Sequence, residues 1–529
     1  MHDCPEERSH SPLMIAQVDS AQDETTGDFY YRTFVPGAGM AHCEGVHVVN
    51  FMYFHRMRHQ TMLDADVLIV NNICDPDLLP LIRDRKTRGK PTVYELGDDL
   101  WGLPSSNPLR AFYNQSNNML LIKRLAHYCD ALQFSSPELE RKFGYLNPNS
   151  RVFPNQILEA PPERSQKTKS IVTVGWGGSI GHLNDMAKIS DRLVRWILSR
   201  QNVHLYLMCA DPIWELFDAL PANRKRRFAT GSVADYYNFV SHLDIGLAPL
   251  EDTPFNRSRS DVKFLEYAVH GAVPVVEATG PYLLSVKPGR TGFFFNSTDE
   301  LISNLDHLVS DAAVRSKVSA SAREYVLRER NYVDGGLERV EFYRSLIASG
   351  NGGCEPSGSR AGEIFARLCD CPGARKKGRH LFLGSTRYEQ LLQNGVIALK
   401  ASSPSEAWSM FLEAMQIESS LYLPYLFGAF VSGDPVQALK AAIERNPFSI
   451  VSRIHLGKAY LSRGMRDEAI ESFKAAAGIF PEYELPYIEC ANCLQKIGMK
   501  QVGIELLKKA IDLIPKVVRE PQTGGQAEQ

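Results

Sequence analysis

Residues 171–182 read Ile171-Val172-Thr173-Val174-Gly175-Trp176-Gly177-Gly178-Ser179-Ile180-Gly181-His182: a β-branched strand, a glycine-rich turn and the opening of a helix. Glycines let a backbone approach a phosphate closely, and the free N–H groups and dipole of a helix start favour negative charge. Gly175, Gly177 and Gly181 also satisfy a loose G-x-G-x-x-x-G nicotinamide pattern, and the next strand ends in an acid, Asp211. The turn alone therefore leaves three readings open: a phosphate cradle, a dehydrogenase with Asp211 on the adenosine ribose, and a purely structural corner of an α/β sheet.

Outward from this turn the same rhythm continues in both directions. Downstream, Val203–Met208, Phe228–Thr230, Ile245–Ala248, Val273–Val276 and Gly292–Phe295 read as strands separated by helical stretches. Upstream, Leu13–Val18, Val46–Asn50, Asp66–Val70, Pro91–Glu95, Ala131–Ser135 and Arg151–Phe153 do the same. Strands alternating with helices imply parallel sheets, and two such sheets facing each other make a cleft beyond the carboxyl ends of their strands. A Pro- and Lys-rich stretch from Pro161 to Lys169 separates the two series, and the last helical piece, Leu337 to Ala348, is placed to lie back across the first lobe.

Residues 349–387 carry Gly350-Asn351-Gly352-Gly353, Ser357-Gly358-Ser359 and Arg375-Lys376-Lys377-Gly378-Arg379, and read as a linker. Beyond it Leu456, Gly457, Tyr460, Ala469, Phe473, Ala476 and Pro481 fall at positions 7, 8, 11, 20, 24, 27 and 32 of a 34-residue unit starting at Ile450, the tetratricopeptide spacing. The next unit, from Glu484, keeps Ala491, Leu494, Leu507, Ala510 and Pro515 in register. Ala442 and Pro447 mark a degenerate earlier unit, and Ala407, Phe411 and Ala414 a still earlier one, about six residues out of register.

At 529 residues, and roughly 150 residues per domain, the chain holds three or four domains. Its 59 Lys and Arg against 61 Asp and Glu give a net charge of −2, which excludes the global basic field of a nucleic-acid binder; any anion site must be local. No apolar run reaches the roughly 18 residues needed to cross a bilayer. The start Met1-His2-Asp3-Cys4-Pro5-Glu6-Glu7 lacks the n- and h-regions of a secretory signal, and the ten cysteines are scattered. The expectation is a cytoplasmic protein with reduced thiols, at most peripheral at the inner membrane surface.

The stretch from Leu247 to Val276 separates the readings: Leu247-Ala-Pro249-Leu250, then Phe255-Asn256, Arg257-Ser258-Arg259-Ser260, Lys263, Leu265-Glu266-Tyr267, Gly271 and Pro274-Val275-Val276. It resembles the nucleotide-sugar segment of GT-B glycosyltransferases, specifically group 1 transferases of glycosyltransferase family 4. The likeness extends to Tyr94-Glu95-Leu96-Gly97-Asp98-Asp99-Leu100-Trp101, where relatives carry Tyr-Asp-x-Asp-Asp, and to Val152-Phe153-Pro154-Asn155 before the interlobe linker. It covers about residues 13 to 347. It implies a retaining transferase of two Rossmann-like lobes, using a nucleotide diphosphate sugar as substrate with no obligatory metal or other cofactor.

Carried over residue by residue, the resemblance puts Glu266 on the donor ribose, a role a carboxylate suits because it accepts from two neighbouring hydroxyls. Arg259 and Lys263, four apart and on one face if that segment is helical, would neutralise the leaving diphosphate. Gly177, Gly178, Ser179 and Ser260 would bind the donor, and His182 would contact its phosphate or sugar. Asp98 and Asp99 stand where the family contacts sugar or acceptor, although both also suit turn capping. Two departures stand out: Ser258 occupies the place of the first of the family's paired glutamates, and the Arg and Lys of its first donor-lobe loop are missing, Trp176 and Gly177 standing nearby. Both occur together in the Trp-Gly-Gly-Ser subgroup that this chain resembles.

Other clusters are weaker. Asp75-Pro76-Asp77 and Asp64-Ala65-Asp66 fit D-x-D metal spacing but flank a strand of the non-donor lobe. Cys354, Cys369, Cys371 and His380 lack paired C-x-x-C knuckles, and Cys490 with Cys493 reads as repeat core. The expectation is thus α/β, with two Rossmann-like lobes followed by an all-α tetratricopeptide solenoid: acceptor lobe 1–156, interlobe linker 157–170, donor lobe with crossover helix 171–348, linker 349–387, repeats 388–517 and tail 518–529. The expected activity is sugar transfer of hexosyl type to a glycan, lipid-linked glycan or protein acceptor, with the repeats holding a protein or peptide partner. The alternatives are a repeat scaffold with a non-catalytic nucleotide-sugar module, and an NAD(P)-dependent dehydrogenase.

Overall fold

The computed structural model describes residues 12–20, 26–105, 107, 109–163, 170–349, 358–496 and 498–519. In the first lobe the strands are β1 (Leu13–Asp19), β2 (Val46–Met52), β3 (Val67–Asn71), β4 (Thr92–Leu96), β5 (Ala131–Phe134) and β6 (Ser150–Val152). In the second they are β7 (Val172–Gly177), β8 (Val203–Met208), β9 (Lys225–Phe228), β10 (Ile245–Ala248), β11 (Val273–Glu277) and β12 (Phe293–Phe295). Two more, β13 (Ala374–Lys377) and β14 (His380–Leu383), come later in the chain.

The second sheet is parallel throughout, in the order β12-β11-β10-β7-β8-β9, so the glycine-rich turn leaves a central strand. Both faces of such strands are covered, which is why Val172-Thr-Val-Gly-Trp176 carries no polar alternation. The edge strand β9 lies three residues earlier than the expected Phe228–Thr230. Its Lys225-Arg226-Arg227 fall outside the expected strand, but at a sheet edge their stems lie on apolar surface: Lys225 over the Trp214 ring and Arg226 over Tyr206 and Phe228.

The first sheet runs β13-β14-β2-β1-β3-β4-β5-β6, and this corrects the expectation of a linker for residues 358–387, the rest of that stretch, 350–357, lying outside the described residues. The helix Gly358–Cys369 packs on the first lobe, β14 pairs in parallel with β2 (His380 opposite Val48, Leu383 opposite Phe51), and β13 closes the edge as an antiparallel hairpin. Ala361, Phe365, Leu368, Leu381 and Leu383 join the first-lobe core. The basic run read as linker is the edge strand of that sheet, and charged edge strands are how sheets stop pairing.

The helix Tyr332–Ser349 crosses back to the first lobe against the helix Val35–Met40. Gly39 and Gly336 meet there backbone to backbone, with no room for a β-carbon on either. Tyr343 donates its hydroxyl to Gln133 Oε1 (2.7 Å) beneath the sheet.

Four helix hairpins follow among the described residues: Arg387–Lys400 with Pro404–Ile417, Leu423–Gly428 with Pro435–Arg445, Ile450–Ser462 with Arg466–Ile479, and Leu485–Lys496 with Lys500–Leu513. Gly395 faces the Phe411 ring as Gly457 faces that of Phe473, so the first and third hairpins share one packing rule. The second is short because its first helix is only six residues long, which accounts for the six-residue slip in the sequence register.

The solenoid does not hang free. The turns between its hairpins dock on the first lobe and share its hydrophobic core. Arg124 pairs with Glu484 (2.5 Å) and donates to the Leu513 carbonyl (3.0 Å). Arg56 holds Glu389 and Glu418, and Tyr128 packs edge-on against Phe480. No helix among the described residues is long and apolar enough to cross a membrane.

Candidate functional site

A cavity of about 590 Å³ lies between the lobes, beyond the carboxyl ends of both sheets. On the donor side its wall comes from the turn after β7 and from the helix Val262–Val269 with the loop before it. On the other side it comes from the turn after β4 and from residues 26–32.

After Gly177 the chain makes a single 3-10 turn, Ile180–His182, and enters the helix Leu183–Leu198. Gly178 and Ser179 line the cavity. The expected cradle is narrower than the glycine count suggested. The Gly178 N–H goes to the Met208 carbonyl (3.0 Å) and Gly177 does not line the cavity, so neither glycine offers it a free amide. Gly177 is needed for packing instead: a β-carbon there would lie 2.8 Å from the rings of Phe239 and Tyr236.

Lys263 and Glu266 stand three apart on one helix and both face the cavity. Arg259 lies in the turn before that helix, which corrects the expectation of a shared helical face for Arg259 and Lys263. The turn is pinned because Asp261 accepts both amine hands of Arg330 (2.6 and 2.7 Å) and Ser260 Oγ accepts from Asn155 of the first lobe (3.0 Å). Arg259 and Ser260 thereby reach the same cavity.

Glu266 is 5% exposed, and its Oε1 accepts from the Tyr31 hydroxyl of the opposite lobe (2.8 Å). Tyr31 in turn lies 2.8 Å from the Tyr237 hydroxyl. Burial pushes the Glu266 carboxyl above its ordinary range, with the Lys263 ammonium pulling the other way. Burial also brings the Lys263 ammonium down to about 8, opposed by Glu266. Lys263 donates to the Gly177 carbonyl, which ties the helix to the glycine turn.

His182, expected at the donor, is buried and is not among the residues that line the cavity. Burial pushes its imidazole down to about 4, so the ring is neutral at pH 7. Nδ1 lies 2.7 Å from Asp185 Oδ2 and Nε2 lies 3.0 Å from an Arg259 amine. With the ring proton on Nδ1 facing the carboxylate, Nε2 accepts from Arg259 and aims its guanidinium.

Asp98 lines the cavity across from these cations; burial raises it to about 6, with Arg259 opposing. Asp99 is separated from it. Its Oδ1 accepts from Gly102 N–H (2.9 Å) and its Oδ2 holds Lys142 (2.9 Å), whose ammonium also reaches Ser258 Oγ (2.5 Å). Asp99 is therefore a turn and interlobe-latch residue, a correction to its expected place with Asp98. Ser258, fully buried, belongs to the same latch.

Sequence reasoning missed Tyr31 and Arg32. Both sit on a π-helical turn, Tyr30–Phe34, a distortion that recurs at functional sites. Arg32 is 3% exposed, pairs with Glu95, and donates to the Phe153 carbonyl (2.8 Å) and Asn155 Oδ1 (2.7 Å) while lining the cavity. The signal available was the cluster Phe29-Tyr30-Tyr31-Arg32 at an irregular helix start.

The remaining candidates have structural partners. Asp77 Oδ1 accepts the N–H groups of Ile450 and Val451, capping a repeat helix, and Asp75 accepts from the Tyr53 hydroxyl (2.6 Å). Asp211 pairs with Arg227 (2.6 Å) and is not among the residues that line the cavity. His380 lies 3.0 Å from Asn50 Nδ2, while Cys369 and Cys371 pack on the first-lobe core and Cys354 lies outside the described residues. Among the described residues no group of three or more His, Cys, Asp or Glu is arranged to hold a metal ion.

No protein-family model matches the chain, and no curated protein matches it. Among solved structures it is similar to HepE from Anabaena, determined in complex with UDP and glucose (13% identity, TM-score 0.49, 63% of this chain and 100% of that one). It is also similar to sucrose-phosphate synthase from Thermosynechococcus elongatus (14%, 0.44, 64% and 100%) and, over 24% of its length, to MamA (21%, 0.23, 72% of that chain). None of these likenesses decides what the cavity binds.

Proposed function

We propose that the chain is a glycosyltransferase that moves a sugar from a nucleotide diphosphate sugar to an acceptor hydroxyl, with retention of anomeric configuration. The observation that carries this reading is the meeting, in one interlobe cavity, of Arg259, Lys263 and the buried Glu266 with Asp98 from the facing lobe. Two cations suit a diphosphate, a buried carboxylate suits a pair of ribose hydroxyls, and an acid across the cleft suits a sugar or acceptor hydroxyl.

In this mechanism Glu266 accepts from the ribose through the oxygen not held by Tyr31. Arg259, aimed by neutral His182, and Lys263 stabilise the charge that builds on the diphosphate as its bond to the anomeric carbon breaks. The acceptor oxygen forms its bond on the same face, and its proton passes to the departing phosphate oxygen. Asp98 orients a hydroxyl in that step. The charge is met by side chains, so the reaction runs without a divalent cation and survives EDTA. The repeats engage a protein or peptide partner on surfaces away from their docked edge.

The test is incubation of the full chain with UDP- and GDP-sugars, following nucleotide binding and release of free UDP or GDP. Turnover in the native chain that is lost in Lys263→Ala supports the reading. Binding without release identifies a non-catalytic scaffold, and binding of neither nucleotide overturns the donor site.

A further inference from the structure

A second cavity, of about 960 Å³, adjoins the first. The two share Ser232 and Val233, and Tyr237, whose hydroxyl reaches Tyr31 beside Glu266, lines the second. Its floor is aromatic: Phe29, Phe34 and Phe382 line it, with the Phe29 and Phe382 rings 5.4 Å apart and Phe34 stacked on Tyr30 at 6.0 Å.

One wall is the β13–β14 hairpin, the segment whose sequence reads as linker. Arg375 stands opposite Phe382 and Lys377 opposite His380 in the antiparallel register. Directly paired residues share a face of the sheet, so Arg375 and Lys377 lie on the cavity side with Phe382. Lys376 alternates to the other face, over the Phe365 ring. Burial lowers His380 to about 4, so it adds no charge at pH 7. Among the described residues that line this cavity, Glu159 is the one acid.

We propose that this cavity binds a lipid phosphate: a hydrocarbon chain on the aromatic floor, joined to a phosphate met by Lys377 and Arg375. The shared Ser232 and Val233, with Tyr237 reaching Tyr31 beside Glu266, set it at the ribose end of the proposed donor site, away from Asp98, and the lipid reading stands independently of the transferase reading. A neutral glycan would need carboxylates and amides to take up its hydroxyls, and these walls offer mostly rings, methyl groups and cations. An apolar floor with basic residues on one wall matches an apolar tail with an anionic head.

The experiment titrates farnesyl phosphate into the full chain in the presence of saturating UDP, so that the donor-side cations are occupied, with farnesol, inorganic phosphate and maltotriose as parallel arms. Farnesyl phosphate is expected to bind, with farnesol and phosphate each at least about tenfold weaker. Lys377→Glu, an exposed edge substitution, should weaken farnesyl phosphate by about tenfold. Ala38→Trp, which fills the cavity from the helix Val35–Met40, should abolish its binding. Both variants should keep native melting temperature and UDP affinity. Equal binding of farnesyl phosphate by native chain, Lys377→Glu and Ala38→Trp overturns the proposal, as does maltotriose binding in place of farnesyl phosphate. If the native chain binds no nucleotide, the donor reading fails by itself, and the lipid arms still decide what this cavity takes.

Discussion

Replacing Glu266 by Gln should weaken nucleotide binding and stabilise the fold. The side chain is 5% exposed and accepts from Tyr31, and burial raises its pKa, so the folded chain holds a proton there more tightly than the unfolded chain does. With more protons bound in the folded state, stability falls as pH rises from about 4.5 through the raised folded value, and the cost of the buried charge grows over that range. Each unit of upward displacement costs about 1.4 kcal/mol. Gln removes that cost and still accepts from Tyr31 through Oε1.

The same change removes one acceptor oxygen and the charge from the ribose contact. A hydrogen bond to a charged group contributes about 1.5–3 kcal/mol, so affinity for the bound nucleotide diphosphate should fall about 10- to 150-fold. Isothermal titration against UDP and GDP measures the first effect, and thermal unfolding at pH 5 and pH 8 the second, with the gain larger at pH 8. A variant that is more stable and binds nucleotide as well as the native chain refutes the ribose assignment. One that is less stable at pH 8 refutes the claim that Glu266 is held at a cost to the fold.

Three further outcomes are expected. His182→Ala leaves the Arg259 guanidinium without its ring acceptor, so donor turnover should drop about tenfold, while Arg259→Ala in that background should add less than it does alone. Arg124→Ala strands Glu484 in a buried setting and should cost about 3–5 kcal/mol, read as a lower melting temperature and faster proteolysis between the repeats and the first lobe. A chain ending at residue 349 uncovers the edge of β2 and the apolar face that receives the helix Gly358–Cys369 and the repeats; it should aggregate, and a monodisperse, nucleotide-binding fragment in sedimentation would show that docking is dispensable.

Features that depend on local periodicity can be read along the chain. Twelve strands were legible because buried parallel strands read as short β-branched runs, and only β9 slipped, where edge position let basic residues occupy a strand. The repeat spacing located the hairpins, and the motif around Glu266 marked one wall of the cavity, because helix faces and glycine turns follow from residues a few positions apart.

Features that depend on residues far apart in the chain are set by the folded packing instead. The Tyr31–Glu266 bond spans 235 positions and the pairing of His380 with Val48 spans 332, and no local pattern encodes such partners. Burial then reassigned roles: Gly178 lost its amide to Met208, His182 went behind Arg259, Asp99 joined the latch to Lys142, and the basic run at 375–379 became a sheet edge. In each case a polar group removed from water must find a partner, and which partner lies within reach is set by the packing of whole elements, not by neighbours in sequence.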